Sequence, residues 1–351
     1  MLVFRPLLDP TSSTWTYLLA DSESREAVLI DPVFEQHARD TALLSELGFT
    51  LTHTLDTHCH ADHVTAAWLH HTTAKARIGL SARYGAENVD VGLAHGDEIR
   101  FGAQVLQVRA TPGHTAGCLT YVLNAGEMAF TGDALLIRGA GRTDFQEGDA
   151  ATLYVSIHEQ IFSLPDTCRI CPGHDYRGRT WSTVAEEKAY NPRVGGAARS
   201  RDFVGYMQNM NLPHPRLLAV ALPANMRCGE PDDGLVPGAS TWGPVTVSYG
   251  GVHQITADWV AAHRDEVLLL DVRDSDELGG RLPTMAGALH IPLDELRDRL
   301  AEVPDDRPVV TLCPAGRRSA MAATILRQAG RTDAANLQGG LFEWLREGLP
   351  L

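Results

Sequence analysis

Along the first two thirds of the chain, short apolar runs break off repeatedly into polar, often glycine-containing loops. AVLIDP at 27–32, LTHTLDTHCH at 51–60, MAFTGD at 128–133 and CRICPGHD at 168–175 follow this scheme, which predicts strands whose ends open into loops. Helical pattern lies between them, most clearly in HVTAAWLHHTTAKA, with Asp62 placed to cap that helix. The pattern lapses in EPDDGLVPGASTWGP at 230–244, a Pro-, Gly- and Asp-rich stretch that reads as an interdomain linker. It resumes near Val252 with a short helix (ITADWVAAH), a buried strand (VLLLDVR), a loop and helix (PLDELRDRL) and a strand (PVVTLC). The helix SAMAATILRQAG and the ending NLQGGLFEWLREG complete this second unit. Strands alternating with helices imply a parallel sheet covered on both faces. The expected organisation is one domain over 1–229, a linker over 230–250 and a second domain over 251–351, with no internal repeat.

Composition narrows the partners. The chain has 351 residues, 44% of them hydrophobic, enough for two domains with cores of their own. Forty-four acidic against 30 basic residues give a net charge of -14, which argues against nucleic acid and anionic membrane, since both call for a basic surface. Small molecules are the expected partners. No apolar run approaches the ~20 residues of a membrane-spanning helix. The N-terminal MLVFRPLLDP lacks the apolar core and cleavage site of a secretory signal, so the expected location is cytoplasmic. Six cysteines are too sparse for a disulfide framework and are expected as thiols.

The densest chemistry is THCHADH at 57–63, where His58, His60, Asp62 and His63 crowd together directly after a predicted strand. A lone histidine pair is usually solvated or satisfied in a core. Three imidazoles and a carboxylate held this close call for a cation to share their lone pairs. His114 in TPGHTAG, Asp133 in TGD and His174 in CPGHD sit likewise where a strand meets a turn containing glycine, and such turns aim side chains at a common point. His53, His70, His71, His95 and His158 have no such setting and are read as structural.

The pattern H-x-H-x-D-H followed by His, Asp and His resembles the metallo-β-lactamase superfamily, whose members include lactamases, glyoxalase II-type thioester hydrolases and persulfide dioxygenases. The segments GDALLIRGAGRTDFQEG (132–148), CPGHDYRGRTWSTVAEEKAYNPRV (171–194) and PANMRCG (223–229) are similar to those of the persulfide dioxygenases across the whole N-terminal domain. The resemblance implies an αββα sandwich and makes His58, His114 and Asp133 the ligands of one Fe(II), with the second metal position of the binuclear hydrolases empty. His60, Asp62, His63 and His174 then surround the ligands, orienting them and moving protons. It also assigns Arg142, Tyr176 and Arg193 to a glutathione persulfide substrate, whose carboxylates arginine can grip bidentately. A homodimer is the form it implies.

In the second unit, Cys313 ends the strand PVVTL and opens the loop CPAGRR before a helix. Loop amides, the helix dipole, Arg317 and Arg318 all act to lower its pKa and make it a nucleophile. Cysteine phosphatases of the C-x5-R type would need arginine at position 319, which is serine. Arg318, one residue earlier, makes the smaller loop that resembles single-domain rhodaneses, as do DVR at 271–273 and NLQGGLFEWLREG. The resemblance implies a parallel-sheet α/β fold and sulfur transfer through a persulfide on Cys313. ELGGRLPTMAGALHIP replaces the usual acidic, Gly-His-Ile segment and leaves Arg281 without an assigned role. Two arginines in the loop favour an anionic donor such as thiosulfate, since they stabilise the departing sulfite. Cys168 and Cys171 are assigned no chemistry despite their C-x-x-C spacing. Cys59, Cys118 and Cys228 are read as structural, although Cys59, close to the metal, is exposed to oxidation chemistry.

The combined expectation is a bifunctional enzyme. Its iron half oxidises glutathione persulfide with O2 to sulfite and glutathione, and its rhodanese half moves sulfur between thiosulfate and glutathione. Fusion raises the local concentration of the shared intermediate. The alternatives are a binuclear zinc thioester hydrolase of the glyoxalase II type fused to a rhodanese, and a non-catalytic persulfide sensor or carrier.

Overall fold

A computed structural model of the chain describes residues 1–213, 215–236 and 240–351. These form two compact units, Met1–Leu235 and Val236–Leu351.

The first unit stacks two six-stranded sheets. One contains β1 (Leu2–Asp9), β2 (Thr14–Asp21), β3 (Glu26–Ile30), β4 (Thr50–Leu55), β5 (Arg77–Ser81) and β6 (Val91–Leu93) in that spatial order. The other runs β12-β11-β10-β9-β8-β7, from β7 (Glu98–Phe101), β8 (Gln104–Ala110), β9 (Leu119–Leu123), β10 (Met128–Gly132), β11 (Arg169–Pro172) and β12 (Ser182–Thr183). Alternation along β2 and β3 sends Tyr17, Leu19, Val28 and Ile30 inward against Phe101, Leu106, Tyr121 and Phe130 of the facing sheet. Leu18, Ala20, Ala27 and Leu29 point outward, where Leu43 and Leu44 of helix α1 (His37–Leu47) cover them. Both faces of these strands are therefore buried, which explains why they read as nearly continuous apolar runs. On the far side α3 (Ala150–Ser156), α4 (Val184–Tyr190) and α5 (Ser200–Gln208), introduced after α2 (Ala67–Ala74), place Leu153, Val184 and Phe203 over Val122, Ala129 and Ile170. The result is the expected αββα sandwich, which a last helix, α6 (Leu218–Asn225), follows.

Asp62 does not cap α2. The helix starts only at Ala67, and the Thr65 hydroxyl accepts from the Ala67 amide at 3.2 Å. Residues 62–66 are spent on a loop that turns Asp62 towards His63 and His174 instead.

The second unit is a single sheet in the order β13-β14-β18-β17-β15-β16. Its strands are β13 (Thr246–Val247), β14 (His253–Ile255), β15 (Leu268–Asp271), β16 (Leu289–His290), β17 (Val309–Leu312) and β18 (Ala334–Leu337). All neighbours are parallel except β13, which pairs antiparallel with β14 from within the span expected as linker. Helices α7 (Ala257–Ala262) and α9 (Gly340–Arg346) pack Val260, Leu341 and Trp344 on one face. α8 (Arg317–Gln328) packs Ala322 and Leu326 on the other. The helix expected over PLDELRDRL does not form. That segment, which runs from Pro292 to Leu300, is a series of turns, with only a 3-10 turn at Leu300–Glu302. Its amides bond mainly three residues back, as in Glu295 to Pro292 and Leu296 to Leu293.

Candidate functional site

The loops that leave β4, β8, β10 and β11 bring His58, His114, Asp133 and His174 together. His58, His114 and Asp133 each offer one donor atom, all within 4.8 Å of one another. The two rings lie 4.9 Å apart edge-on, and His114 Nε2 is 3.8 Å from Asp133 Oδ2. The far side of each ring is anchored. His114 Nδ1 donates to the Arg142 carbonyl at 2.6 Å, which turns Nε2 towards the cluster. Thr57 Oγ1 donates to Asp31 Oδ2 at 2.9 Å and receives His58 Nδ1 at 3.0 Å. Such bonds fix tautomer and ring orientation. Gly132, in the left-handed region at φ +50°, lets Thr57 approach where a Cβ would overlap its hydroxyl.

Burial, with the neighbouring imidazoles of His60 and His114, pushes His58 well below the ordinary histidine range, and burial, partly opposed by Asp133 and the Arg142 carbonyl, lowers His114. Both rings are neutral, the ligating form. Asp133 is the reverse case: burial acts to raise its pKa, but the charge of His174 and its hydrogen bond outweigh it and keep it a carboxylate. Two neutral imidazoles and one carboxylate, each with an inward donor atom, fit a divalent metal ion.

The remaining members of the motif bond to one another. His174 Nδ1 lies 2.7 Å from Asp133 Oδ1, and its Nε2 lies 2.9 Å from Asp62 Oδ2. His63 Nδ1 is 3.1 Å from the same Asp62 oxygen. His60 Nε2 lies 3.2 Å from Asp31 Oδ1 and 3.7 Å from Asp56 Oδ1, while its Nδ1 has no partner among the described residues. Its ring packs 4.1 Å from His58 and 4.2 Å from His63, and with His63 and Asp62 it could share a metal ion. Cys59 is buried, and burial together with Asp56 pushes its thiol up to about 12. It is therefore a poor candidate for the oxidation chemistry expected there.

A cavity of about 670 Å³ reaches His58, His114, Asp133, Asp62 and His174, and Arg142, Tyr176 and Arg193 line it. Tyr176 is 77% exposed, with its ring stacked 6.2 Å from His174. The two arginines are already engaged. Arg142 makes a bidentate pair with Asp144, both bonds 2.6 Å, and reaches the carbonyls of Leu212 and Pro213 at 3.0 and 2.6 Å. It thereby ties the 212–213 segment beside the cavity. Arg193 donates to the Ala140 carbonyl at 2.9 Å and lies over the Tyr206 ring at 4.9 Å.

In the second unit Cys313 sits between the end of β17 and the start of α8. Gly316, at φ +82°, makes the turn into the helix. The NLQGG ending holds this loop from behind: Leu341 and Phe342 amides donate to the Cys313 and Pro314 carbonyls at 3.0 and 2.9 Å. A Cβ on Gly340 would overlap the Cys313 carbonyl oxygen. Burial acts to raise the Cys313 pKa, but the Ser319 hydroxyl and the amides of Ser319, Ala315 and Arg318 reverse it, and the thiol is lowered. The other five cysteines are all raised, with burial the largest cause. Arg317 is exposed. Arg318 is held by Glu277 through two bonds of 2.6 and 2.8 Å and by Asp274 at 3.3 Å. The buried Asp271 and Arg273 of DVR pair with each other at 2.6 Å.

Sequence reasoning missed three contributors. Ser319 supplies a hydrogen bond to Cys313 Sγ at 3.2 Å, and Glu277 fixes Arg318. Thr14, a plain strand residue in the sequence, lies among Asp62, His63 and His174. Only Ser319 carried a signal, its place directly after the cysteine loop.

A metallo-β-lactamase superfamily model matches residues 9–174, and a rhodanese-like domain model matches residues 256–347. The chain is 53% identical over 228 residues to the human mitochondrial persulfide dioxygenase ETHE1, covering 65% of this chain and 89% of that protein. The mouse protein of the same name is 52% identical over the same lengths. The crystal structure of ETHE1 from Myxococcus xanthus superposes with a TM-score of 0.62 at 50% identity, covering 65% of this chain and 99% of that one. A metallo-β-lactamase from Staphylococcus aureus, 23% identical, shares the fold over 96% of this chain and 98% of its own, with a TM-score of 0.61. The chain thus belongs to the ETHE1-like persulfide dioxygenases of the metallo-β-lactamase superfamily and carries a rhodanese domain at its C-terminal end.

Proposed function

We propose that the first unit oxidises glutathione persulfide with O2, and that the second transfers sulfur between thiosulfate and glutathione through Cys313. The observation that carries the first half is the His58, His114 and Asp133 donor set lining the cavity in a chain 53% identical to human persulfide dioxygenase over that unit. His58, His114 and Asp133 would hold one Fe(II). Bound there, it would supply the chemistry by which a two-histidine, one-carboxylate iron site activates O2 beside a bound substrate. Thr57 and the Arg142 carbonyl orient the two imidazoles, and His174 orients Asp133.

Glutathione persulfide, O2 and water give glutathione and sulfite. The outer sulfur loses four electrons, O2 accepts them, and water cleaves the sulfur–sulfur bond. Tyr176 flanks the cavity, and Arg142, Arg193 and Arg216 line it, Arg142 reaching substrate carboxylates only as it gives up its pair with Asp144. His60, Asp62, His63 and His174 form the surrounding shell that positions ligands and passes protons.

In the second unit, the Cys313 thiolate attacks the outer sulfur of thiosulfate. Sulfite leaves with the bonding pair, and the cysteine persulfide passes its sulfur to the glutathione thiolate. Arg317 and Arg318 stabilise the leaving dianion, Arg318 as it loosens its pairs with Glu277 and Asp274.

Oxygen uptake on glutathione persulfide, measured on protein of known iron content, tests the reading. Iron-dependent uptake with sulfite formation is expected, unchanged in Cys313→Ser, while that variant loses sulfur transfer from thiosulfate. About two zinc ions per chain, with thioester hydrolysis and no oxygen uptake, would establish the hydrolase instead.

A further inference from the structure

Asp62, His63 and His174, which the resemblance to the binuclear hydrolases puts at their second metal position, all converge on a hydroxyl. Thr14 Oγ1 lies 3.1 Å from His174 Nε2, 3.3 Å from His63 Nδ1 and 3.4 Å from Asp62 Oδ2. The donors are also joined among themselves, since Asp62 Oδ2 is 2.9 Å from His174 Nε2 and 3.1 Å from His63 Nδ1. We propose that Thr14 keeps this centre mononuclear by capping the three donors with its hydroxyl and closing the second metal position.

The hydroxyl is built in. Thr14 is wholly buried. Its backbone forms a bridge with His174, and the next amide, Trp15, donates to the Gly173 carbonyl at 2.8 Å. Ser12 Oγ stands 2.7 Å from Thr14 Oγ1 and 2.7 Å from Asp9 Oδ2, while the Ser12 amide donates to the same Asp9 oxygen at 2.8 Å. Ser12, itself held by Asp9, therefore fixes the rotamer through a contact separate from those to the histidines.

A zinc or iron ion sits about 2.0–2.2 Å from imidazole and carboxylate donors. The separations around Thr14 are those of hydrogen bonds. An ion bound to Asp62 Oδ2, His174 Nε2 and His63 Nδ1 has to displace the hydroxyl and break these bonds, and His63 Nε2, without a partner among the described residues, is the ring nitrogen the hydroxyl leaves open. A neutral threonine hydroxyl offers little in return, because it lies outside the nitrogen, thiolate and carboxylate set that binds such ions strongly.

The inference rests on His58, His114 and Asp133 holding the first ion, and its test separates the two claims. Full-length apoprotein is equilibrated with excess Zn(II) alone, freed of unbound metal, and assayed for zinc per chain by mass spectrometry. Wild type and Thr14→Ser are expected to keep about one ion, and Thr14→Ala about two. The double variant Thr14→Ala/His63→Ala is expected to return to about one. A Thr14→Ala protein that keeps one ion overturns the role of Thr14 and leaves the mononuclear reading standing. A wild type that keeps two overturns both. Ser12→Ala, at a partly exposed position, makes the test independent of how well Thr14→Ala folds. Releasing the Thr14 hydroxyl in this way is expected to admit a second, more weakly held ion, and its absence counts against the proposal.

Discussion

His174 Nδ1 lies 2.7 Å from Asp133 Oδ1, which leaves Oδ2 as the oxygen facing His114 Nε2 at 3.8 Å. The imidazole thus sets the angle of the one carboxylate in the donor set without joining that set. Loss of such a supporting bond typically costs roughly 10- to 100-fold in metal affinity. His174→Ala is expected to weaken Fe(II) binding by that factor, measured by competition with a chelator. Sulfur transfer through Cys313 in the same preparation is expected to stay at the wild-type rate, and a matching loss there would point to general misfolding.

Gly141 lies against two of the donors. A Cβ at this position would overlap the Asp133 carbonyl oxygen and stand 2.9 Å from His114 Nδ1, the atom that bonds the Arg142 carbonyl. Neither neighbour is the free end of a flexible side chain, so Gly141→Ala has to shift His114, Asp133 or both. A 1 Å displacement of catalytic groups costs on the order of 100-fold in rate. The variant is expected to lose oxygen uptake by at least that factor and to hold less metal per chain, again with Cys313-dependent transfer intact. Wild-type metal content and turnover would show that the loop absorbs the methyl group.

The architecture was legible wherever chemistry and periodicity coincided. The apolar runs ending at Ile30, Leu55, Gly132 and Pro172 are strands, and the residues that follow three of them, His58, Asp133 and His174, meet in space. Asp62 was misread as a helix cap because its local spacing fits that role, and only the folded loop reveals His174, 112 residues away, as its partner. Thr14 had no legible signal, since a hydroxyl at the start of a strand is ordinary and its three neighbours come from distant segments. Glu277 escaped for the same reason, being 41 residues from Arg318. The absent helix over PLDELRDRL is a failure of another kind: its pattern is helical, yet its amides close turns three residues back, and nothing in the structure explains why.

Asp40 gives the first unit a pH-dependent stability that owes nothing to the metal site. It is fully buried on α1, its Oδ1 accepts from Arg39 Nε at 2.7 Å, and its Oδ2 has no partner among the described residues. Burial, partly opposed by Arg39, raises the carboxyl to about 6. A carboxyl with a folded value above its unfolded value of 3.8 contributes stability that is complete below the latter. That contribution is lost as pH rises through about 6. Between pH 4 and 7 the loss is of order 2–3 kcal/mol. Asp40→Asn, which cannot ionise, is expected to flatten this part of the profile and to gain on the wild type at neutral pH, as read from calorimetric midpoints across that range. Parallel profiles for the two proteins would remove Asp40 as the source.

Ser319 is expected to set the pH at which Cys313 becomes reactive. Its hydroxyl lies 3.2 Å and its amide 3.4 Å from Cys313 Sγ, and Asn336 Oδ1, 2.7 Å from the same hydroxyl, competes for its single proton, which turns to the sulfur when the thiolate forms. Burial alone would raise the thiol, so its lowered pKa depends on donors that stabilise the thiolate, with the Ser319 hydroxyl the largest of them. A hydrogen bond to a charged group is worth about 1.5–3 kcal/mol, enough to move a titration by about one pH unit or more. Only the thiolate reacts, so alkylation by iodoacetamide accelerates as pH rises through the Cys313 pKa. In Ser319→Ala that midpoint is expected to move upward by about one pH unit, and thiosulfate-dependent transfer to slow most at low pH and recover as pH rises. Ser319→Thr, which keeps the hydroxyl, is expected to restore most of the wild-type profile. An unchanged midpoint in Ser319→Ala would mean that the loop amides alone hold the thiolate, and that the serine serves only to pack the start of α8 against β18.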